Sequence, residues 1–507
     1  LALGMVKASG CPAAVCVTSG SALANLAPAL AEARASGLPL LALAADRPWE
    51  LHGVSAPQTM AQRGALSAFV VEEPVVGEPL ADDLALRALR ARVSRAAQAQ
   101  GPVLINVPLR EPLISAPGSL WTPPAALSSE ALDGRPARRP YTFVGRTSRQ
   151  ISPLSSEPGE AVLGIDWLRP GLRGIIFAGP GPIIAEMSAG ALSQATGYPL
   201  VADASSGERL WMGAEVVTTG DALLAGPLGD ERPDVIIACT AIPLSRTVFE
   251  WIDRQRCPLL TIGDAASIDF LGRAWASLPH LHSDASAELL EMCRSGDAAW
   301  RERWLAAERL ALIRLRDAMA VEPWGEVLAA HLAFAHRPPA IVHAASSMSV
   351  RHANLHARGN VLANRGINGI DGTIGTFLGE VLGSGMPGRL VCGDLAFLHD
   401  LPALAAAAPA AGSAIVVLNN DGGGIFDFLP VARMPEYQTW VRTPHGRNCA
   451  GAAALFGLGY RLVSSRVEMM EALDAAAVGS TAMIIECAVP GNAVERHRAL
   501  LRALATP

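Results

Sequence analysis

Lysine is nearly absent from this chain: of 41 basic residues, only Lys7 is a lysine, and the rest are arginines. A phosphate-binding loop built on lysine is thereby excluded, and a Schiff-base lysine has almost no candidate. Charge of either sign is sparse, at 17% of 507 residues, and the formal net charge of −6 argues against a face built for a polyanion such as nucleic acid. The eight cysteines show no CxxC spacing and mostly sit in apolar runs, which reads as buried thiols in a reducing cytosol. There is no GxSxG elbow, no HExxH and no basic-then-apolar leader. Two uncharged stretches, 8–31 and 401–418, are broken by Pro402, Pro409 and Gly412 or rich in Ser, Thr, Gly and Asn. Each reads as a helix joined to a buried strand rather than a membrane span, so a soluble, cytoplasmic protein is expected. Methionine is missing at the start, where Leu1-Ala2-Leu3-Gly4 looks like the inside of an element.

What is present is aliphatic and periodic. Half the residues are apolar, enough for a large core, and the length suits two to four domains. Short β-branched runs, each punctuated by Gly, Asp or Asn and followed by an Ala/Leu helix pattern, recur along the chain. Residues 13–18, 38–45 and 103–107 read as strands, with helices over 21–35 and 80–98. A Pro-, Ser- and Arg-rich passage follows over 115–158. A second block holds the strands 174–178, 235–239 and 259–262, and a solvent-facing helix over 300–319 leads to a third. There, 340–343, 389–392, 414–418 and 482–487 read as strands. The expectation is α/β: three parallel-sheet domains at 1–116, 161–300 and 321–507, with a linker over 117–160.

The densest chemical signal is Gly393-Asp394 followed, after a helical stretch over 401–408, by Asn419-Asn420-Asp421-Gly422-Gly423-Gly424. A right-handed βαβ crossover puts both polar strand ends at one carboxyl edge, where open α/β sheets bind ligands. A carboxylate, an amide oxygen and a glycine carbonyl form a hard-oxygen set suited to Mg²⁺, and the glycines let N–H groups approach a diphosphate. The plainer reading is that strand-end Asp and Asn are ordinary turn and cap formers. Gly179-Pro180-Gly181 follows a strand, but Pro182 and the absent third glycine spoil a dinucleotide fingerprint. The pairs His280/His282 and His352/His356 have zinc-like spacings without a third ligand, so polar or supporting roles fit them better.

These motifs resemble the thiamine-diphosphate enzymes, and one branch in particular. Asn364-Arg365-Gly366-Ile367-Asn368-Gly369-Ile370-Asp371-Gly372, Gly393-Asp394-Leu395 and Asn420-Asp421-Gly422-Gly423-Gly424-Ile425-Phe426 are similar to the 2-succinyl-5-enolpyruvyl-6-hydroxy-3-cyclohexene-1-carboxylate synthases of menaquinone biosynthesis. So are Thr18-Ser19-Gly20-Ser21-Ala22, Ala45-Asp46-Arg47-Pro48 and Ile105-Asn106-Val107-Pro108. The resemblance covers essentially the whole chain and is weakest over 115–160.

By that resemblance, Asp394, Asn420 and the Gly422 carbonyl match ligands of the Mg²⁺ (or Mn²⁺) that anchors thiamine diphosphate, with Gly393 beside them. Ile370 matches the apolar wedge under the bent cofactor, and Ile425, Phe426 and Leu429 match pocket-lining positions. Arg47, Gln58, Ser347, Arg351 and Arg365 match substrate-binding positions, and Arg246 matches more loosely. The implied substrates, 2-oxoglutarate and isochorismate, are dicarboxylates, which guanidinium forks grip bidentately. For any one arginine the plain alternative is a surface ion pair worth about 0–1 kcal/mol. The resemblance further implies a homodimer or homotetramer. The family's catalytic glutamate would lie upstream of Leu1, so the chain as written is expected to have little synthase activity and the complete protein to have it. The rival readings are another 2-oxo-acid decarboxylase or carboligase, and an inactive cofactor-binding fragment.

Overall fold

The computed structural model describes residues 1–77, 83–111, 113, 169–181, 188–209, 215–239, 244–263, 271–272, 274–278, 290, 293–336 and 339–505. The chain divides into two compact units, one of Gly10–Arg149 with Ala2, the other of Leu1, Leu3–Ser9 and Gln150–Pro507. The expected linker and the pair His280/His282 lie outside the described residues.

In the first unit, β1 (Ala13–Val17), β2 (Leu40–Asp46) and β3 (Val103–Pro108) form a parallel sheet in that order. β2 alternates buried and half-buried residues, and β3 opens with four buried ones. The single helix expected over 21–35 is two, Ser21–Ala24 and Ala27–Ala35, because Pro28 sits in the first turn of the second and has no N–H to continue the first.

The second unit carries two parallel sheets. β4 (Gly174–Ala178), β5 (Leu200–Ala202), β6 (Val216–Val217), β7 (Val235–Cys239), β8 (Leu259–Ile262) and β9 (Ala276–Leu278) run in the order β6-β5-β4-β7-β8-β9. That is the doubly wound Rossmann order. β4, β7 and β8 are buried throughout, which is why they read as unbroken apolar runs. The helix Ala298–Val321 corrects an expectation: it is not simply solvent-facing. Trp300 and Trp304 are fully buried from it and pack with Trp251 and Phe177 against the sheet.

The last sheet comprises β10 (Ile341–Ala344), β11 (Gly388–Gly393), β12 (Ala414–Asn419), β13 (Gly459–Val463) and β14 (Met483–Ala488), ordered β10-β11-β12-β14-β13. Apolar clusters cover both its faces, one around Val391, Val416 and Ile485, the other around Leu390, Ile415 and Ile484. Between β11 and β12 the chain makes two short helices, Asp394–His399 and Ala403–Ala406, rather than the one expected over 401–408. Pro402 caps the second. In the opening helix, a Cβ on Gly4 would lie 1.8 Å from the Thr376 carbonyl, so only glycine allows this approach to the helix Thr373–Ser384. Lys7 is engaged there too, donating to the Ala363 carbonyl at 2.7 Å and to Asn364 Oδ1 at 2.5 Å. Of the cysteines, five are buried, Cys257 is half-buried, and Cys11 and Cys16 are exposed, against the expectation of burial for those two. No helix among the described residues is long and apolar enough to cross a membrane.

Candidate functional site

β11 and β12 are adjacent and parallel, with Gly393 in register with Leu418, so their carboxyl ends deliver Asp394 and Asn420 to the same edge. Asp394 is buried. Its Oδ1 accepts from the Leu395 N–H at 2.7 Å, and its Oδ2 accepts from the Gly422 N–H at 2.8 Å. His445 Nε2 lies 3.2 Å from the same Oδ2. Gly422 has φ 125, and a Cβ there would stand 2.2 Å from the Arg442 carbonyl, so this turn accepts nothing larger than glycine. Its carbonyl accepts from the Gly424 N–H at 2.9 Å. Asn420 Nδ2 donates to Glu326 Oε2 at 2.6 Å, while Asn420 Oδ1 accepts from Arg442 at 3.1 Å. Asp421, at φ 60, caps the opposite loop by accepting the Gly446 and His445 N–H groups, which hold its carboxyl below the usual range. A cleft of about 570 Å³ opens beside these residues, lined by Asn419, Asn420, Asp421, Gly446 and Gly491 among others.

The donor set fits a hard cation carrying a diphosphate. It consists of one carboxylate, one amide oxygen and one glycine carbonyl around a glycine cradle. Among the described residues, no group of three or more His, Cys, Asp or Glu could hold a metal, so any cation here depends on the amide and carbonyl oxygens. His352 and His356 are buried side by side rather than arranged for zinc.

A second group gathers one strand over. Ser347 follows β10 and starts the helix Met348–His356 at φ 79, a conformation that costs a non-glycine residue about 1–3 kcal/mol and is retained mainly at functional positions. Its carbonyl accepts from Arg351 at 2.7 Å. The segment bearing Arg365 runs alongside β10, where the Leu362 N–H donates to the Val342 carbonyl, and Ser346 Oγ donates to the Asn364 carbonyl. Ser347, Arg351 and Arg365 thus flank one strand end. Burial lowers the pKa of Arg351 while the Asp221 carboxylate opposes that, and the charge of Arg365 acts on Asp203, opposing the rise that burial imposes there. Ile370 is half-buried against the core cluster under β11. Ile425 packs with Phe428 on Met348 and Val494, whereas Phe426 and Leu429 are exposed.

In the other unit, Gln58 has φ 58 and donates to Thr18 Oγ1 and the Ser19 carbonyl. Arg47 follows β2, its N–H bonded to Asp46 Oδ1 and its buried Nε without a partner among the described residues. Gln62, which no sequence motif marked, ties this edge together. It accepts from the Gly20 N–H at 2.6 Å and donates to the Ala45 carbonyl and to Asn106, which donates to Asp46. Arg246 stands apart: it is exposed at the start of the helix Arg246–Arg254 and pairs with Glu250 at 2.6 Å.

Residues 1–66 match the family described as thiamine pyrophosphate enzyme, N-terminal TPP binding domain. Over 99% of its length the chain is 35% identical to a 2-succinyl-5-enolpyruvyl-6-hydroxy-3-cyclohexene-1-carboxylate synthase of Myxococcus xanthus, covering 88% of that protein. The same named synthase from Roseiflexus castenholzii is 34% identical, over 99% of this chain and 89% of that one. Another, from Natronomonas pharaonis, is also 34% identical, over 94% of this chain and 84% of that one. The chain belongs to the 2-succinyl-5-enolpyruvyl-6-hydroxy-3-cyclohexene-1-carboxylate synthase family. Within the folded chain, Glu326, Arg442 and His445 join the motif residues only through packing. Glu326 is 94 residues from its partner Asn420, and no spacing rule links such a pair.

Proposed function

We infer that the protein is a thiamine-diphosphate-dependent transferase that decarboxylates 2-oxoglutarate and adds the remaining four-carbon unit to isochorismate, in menaquinone biosynthesis. The observation that carries this reading is the meeting of Asp394, Asn420 and Gly422 at one sheet edge, with two backbone N–H groups already turned onto the carboxylate. When bound, thiamine diphosphate supplies a carbon that holds the electron pair left behind as CO₂ departs.

The residues of the chain divide the remaining work. Asp394, Asn420 and the Gly422 carbonyl would hold Mg²⁺ (or Mn²⁺), and with it the diphosphate. Ile370 would support the cofactor from its apolar side. Ile425, Phe426 and Leu429 would line the pocket, and water displaced from these apolar side chains when substrate binds would favour loss of CO₂, because charge is dispersed as it leaves. Arg351 and Arg365, fixed beside Ser347, would take substrate carboxylates. A guanidinium stays charged even where burial lowers its pKa. Arg47 and Gln58 would contribute from the first block, and Arg246 from the middle one. A homodimer or homotetramer acting on small molecules in the cytoplasm belongs to the same proposal. So do the domain limits 1–116, 161–300 and 321–507, joined in part by a linker over 117–160.

CO₂ release by protein expressed from the whole reading frame tests this reading. Release from 2-oxoglutarate that depends on Mg²⁺, thiamine diphosphate and isochorismate is expected, with pyruvate a much poorer substrate. Pyruvate turned over with an equal or higher kcat/KM would replace the reading with an acetolactate-type carboligase.

A further inference from the structure

An asparagine offers a cation its amide oxygen only if the amide is turned the right way, since the oxygen and NH₂ ends have nearly the same shape. At Asn420 that choice is made by Glu326. This glutamate opens the helix Glu326–Ala335, where the positive end of the helix dipole favours a carboxylate, and its residue exposure is only 2%. Both of its oxygens are used: Oε2 accepts from Asn420 Nδ2 at 2.6 Å, and Oε1 lies 3.2 Å from Nε2 of the fully buried His352. A carboxylate can only accept, so Asn420 has to turn its NH₂ toward Glu326 and its Oδ1 away. On that far side, Oδ1 receives the cationic guanidinium of Arg442, which shows that this oxygen already faces positive charge.

We propose that Glu326, held by His352, is a positioning residue that fixes the amide of Asn420 so that its oxygen faces the diphosphate-bound cation. This rests on the reading of Asn420 as a cation ligand. A buried Glu–His pair is a costly way to fill space, because apolar residues of similar volume would do so at no loss of stability. Its presence is accounted for if the acceptor itself is needed. Outer partners that orient a metal ligand typically account for about 10–100-fold in affinity.

The test is calorimetric titration of Mg²⁺ into the protein in excess thiamine diphosphate, with thermal melts of the cofactor-free variants run alongside. Glu326→Gln can hold the Asn420 amide either way round, so its Mg²⁺ affinity is expected to fall by about tenfold. Asn420→Asp sets two carboxylates against each other and is expected to weaken binding by at least about tenfold. The double variant E326Q/N420D restores a donor–acceptor pair with the roles exchanged, and should return to within about threefold of the wild type. Should Glu326→Gln fail to fold, Glu326→Asp carries the same expectation, since it keeps the charge toward His352 and withdraws the acceptor from Asn420. The proposal is overturned if Glu326→Gln binds Mg²⁺ like the wild type, or if the double variant binds no better than Asn420→Asp. A lowered melting temperature with unchanged affinity would mean that Glu326 serves only the fold. Wild-type protein that binds no Mg²⁺ with thiamine diphosphate would instead reject the site itself, and is told apart because Asn420→Asp then has nothing to lose.

Discussion

The six-stranded and five-stranded sheets of the second unit are both parallel, both buried on two faces and both edged with polar residues, yet the chain uses their carboxyl edges differently. At the six-stranded sheet the polar groups are consumed by packing. The N–H groups of Gly179 and Gly181 donate to the Cys239 and Ser205 carbonyls, so neither is turned to a phosphate. Asp203 Oδ2 accepts from the Leu244 N–H, and Arg209 spans the carbonyls of Ala202, Asn354 and Ala357. That edge is a seam sealed against the segment 354–360. At the five-stranded sheet, Asn419, Asn420 and Asp421 instead border an open cleft, with the buried Asp394 bonded to the Gly422 N–H behind them and Glu326 holding Asn420. The doubly wound topology supplies an edge in both cases, and only the side chains decide whether it becomes a site.

The largest effect should come from exchanging aspartates at the two edges. Asp394→Ala is expected to weaken Mg²⁺-dependent thiamine diphosphate binding by more than about 100-fold, beyond the loss typical of an outer partner. Asp203→Asn should leave that binding unchanged by calorimetry. Equal losses for the two variants would mean that the edges are not functionally distinct. A glycine pair follows. Gly422→Ala forces a side chain to 2.2 Å from the Arg442 carbonyl and disturbs the N–H donated to Asp394, so cofactor binding should drop by about tenfold. Gly174→Ala would meet the Tyr198 ring at 2.1 Å, where about 1–3 kcal/mol of stability is at stake and cofactor affinity of the folded protein is not.

Acid separates the two regions in the opposite sense. Behind the five-stranded sheet, His331 contacts His356, which stacks on His352, which in turn meets His497. Burial pushes His331 down to about 4 and His497 down to about 3, and carries His356 well below its ordinary value. Below about pH 6.5 the unfolded chain takes up protons that His331, His356 and His497 refuse, so stability falls as pH drops from about 6.5 toward 4. Asp203 works the other way. Burial pushes it up to about 6, although the Leu244 N–H and the charges of Arg209 and Arg365 oppose the shift and Asp221 adds to it. The folded state then binds its proton first, and stability is gained as pH falls from about 6 toward 3.8. Melting curves between pH 4 and 7 should therefore show a steeper acid loss for Asp203→Asn and a shallower one for His497→Leu. The same slope in both variants would contradict this assignment.

The sequence carried the two sheets unevenly. β4, β7 and β12 could be read because a strand buried on both faces is a near-continuous apolar run, and β8, β11 and β14 because a single Thr261, Arg389 or Glu486 leaves that run recognisable. β5, β6 and β9 could not, being only two or three residues long, and β13 could not because Arg461 and Leu462 on it are exposed. At the site, the glycine-rich turn and its Asp and Asn are local in sequence, and so visible. Glu326 and Gln62 are not local. Each is one polar residue of an ordinary helix or loop until folding brings it 2.6 Å from a partner 94 or 42 positions away. The left-handed backbone at Ser347 and Gln58 is likewise imposed by tertiary packing, since neither residue favours it.

The smallest expected effect belongs to Arg246, and it bears directly on whether the middle block contributes to the site at all. Its side chain is 88% exposed and holds Glu250 one helical turn away, a pair worth at most about 0.5 kcal/mol to the fold. Arg246→Ala should therefore leave the melting temperature nearly unchanged. If the arginine reaches a substrate carboxylate, its loss removes an attraction felt mainly on binding, so KM for isochorismate should rise severalfold while kcat and the KM for 2-oxoglutarate hold. Unchanged kinetics for both substrates would leave the middle block with a structural role only, and the contrast between the two sheets would then be complete.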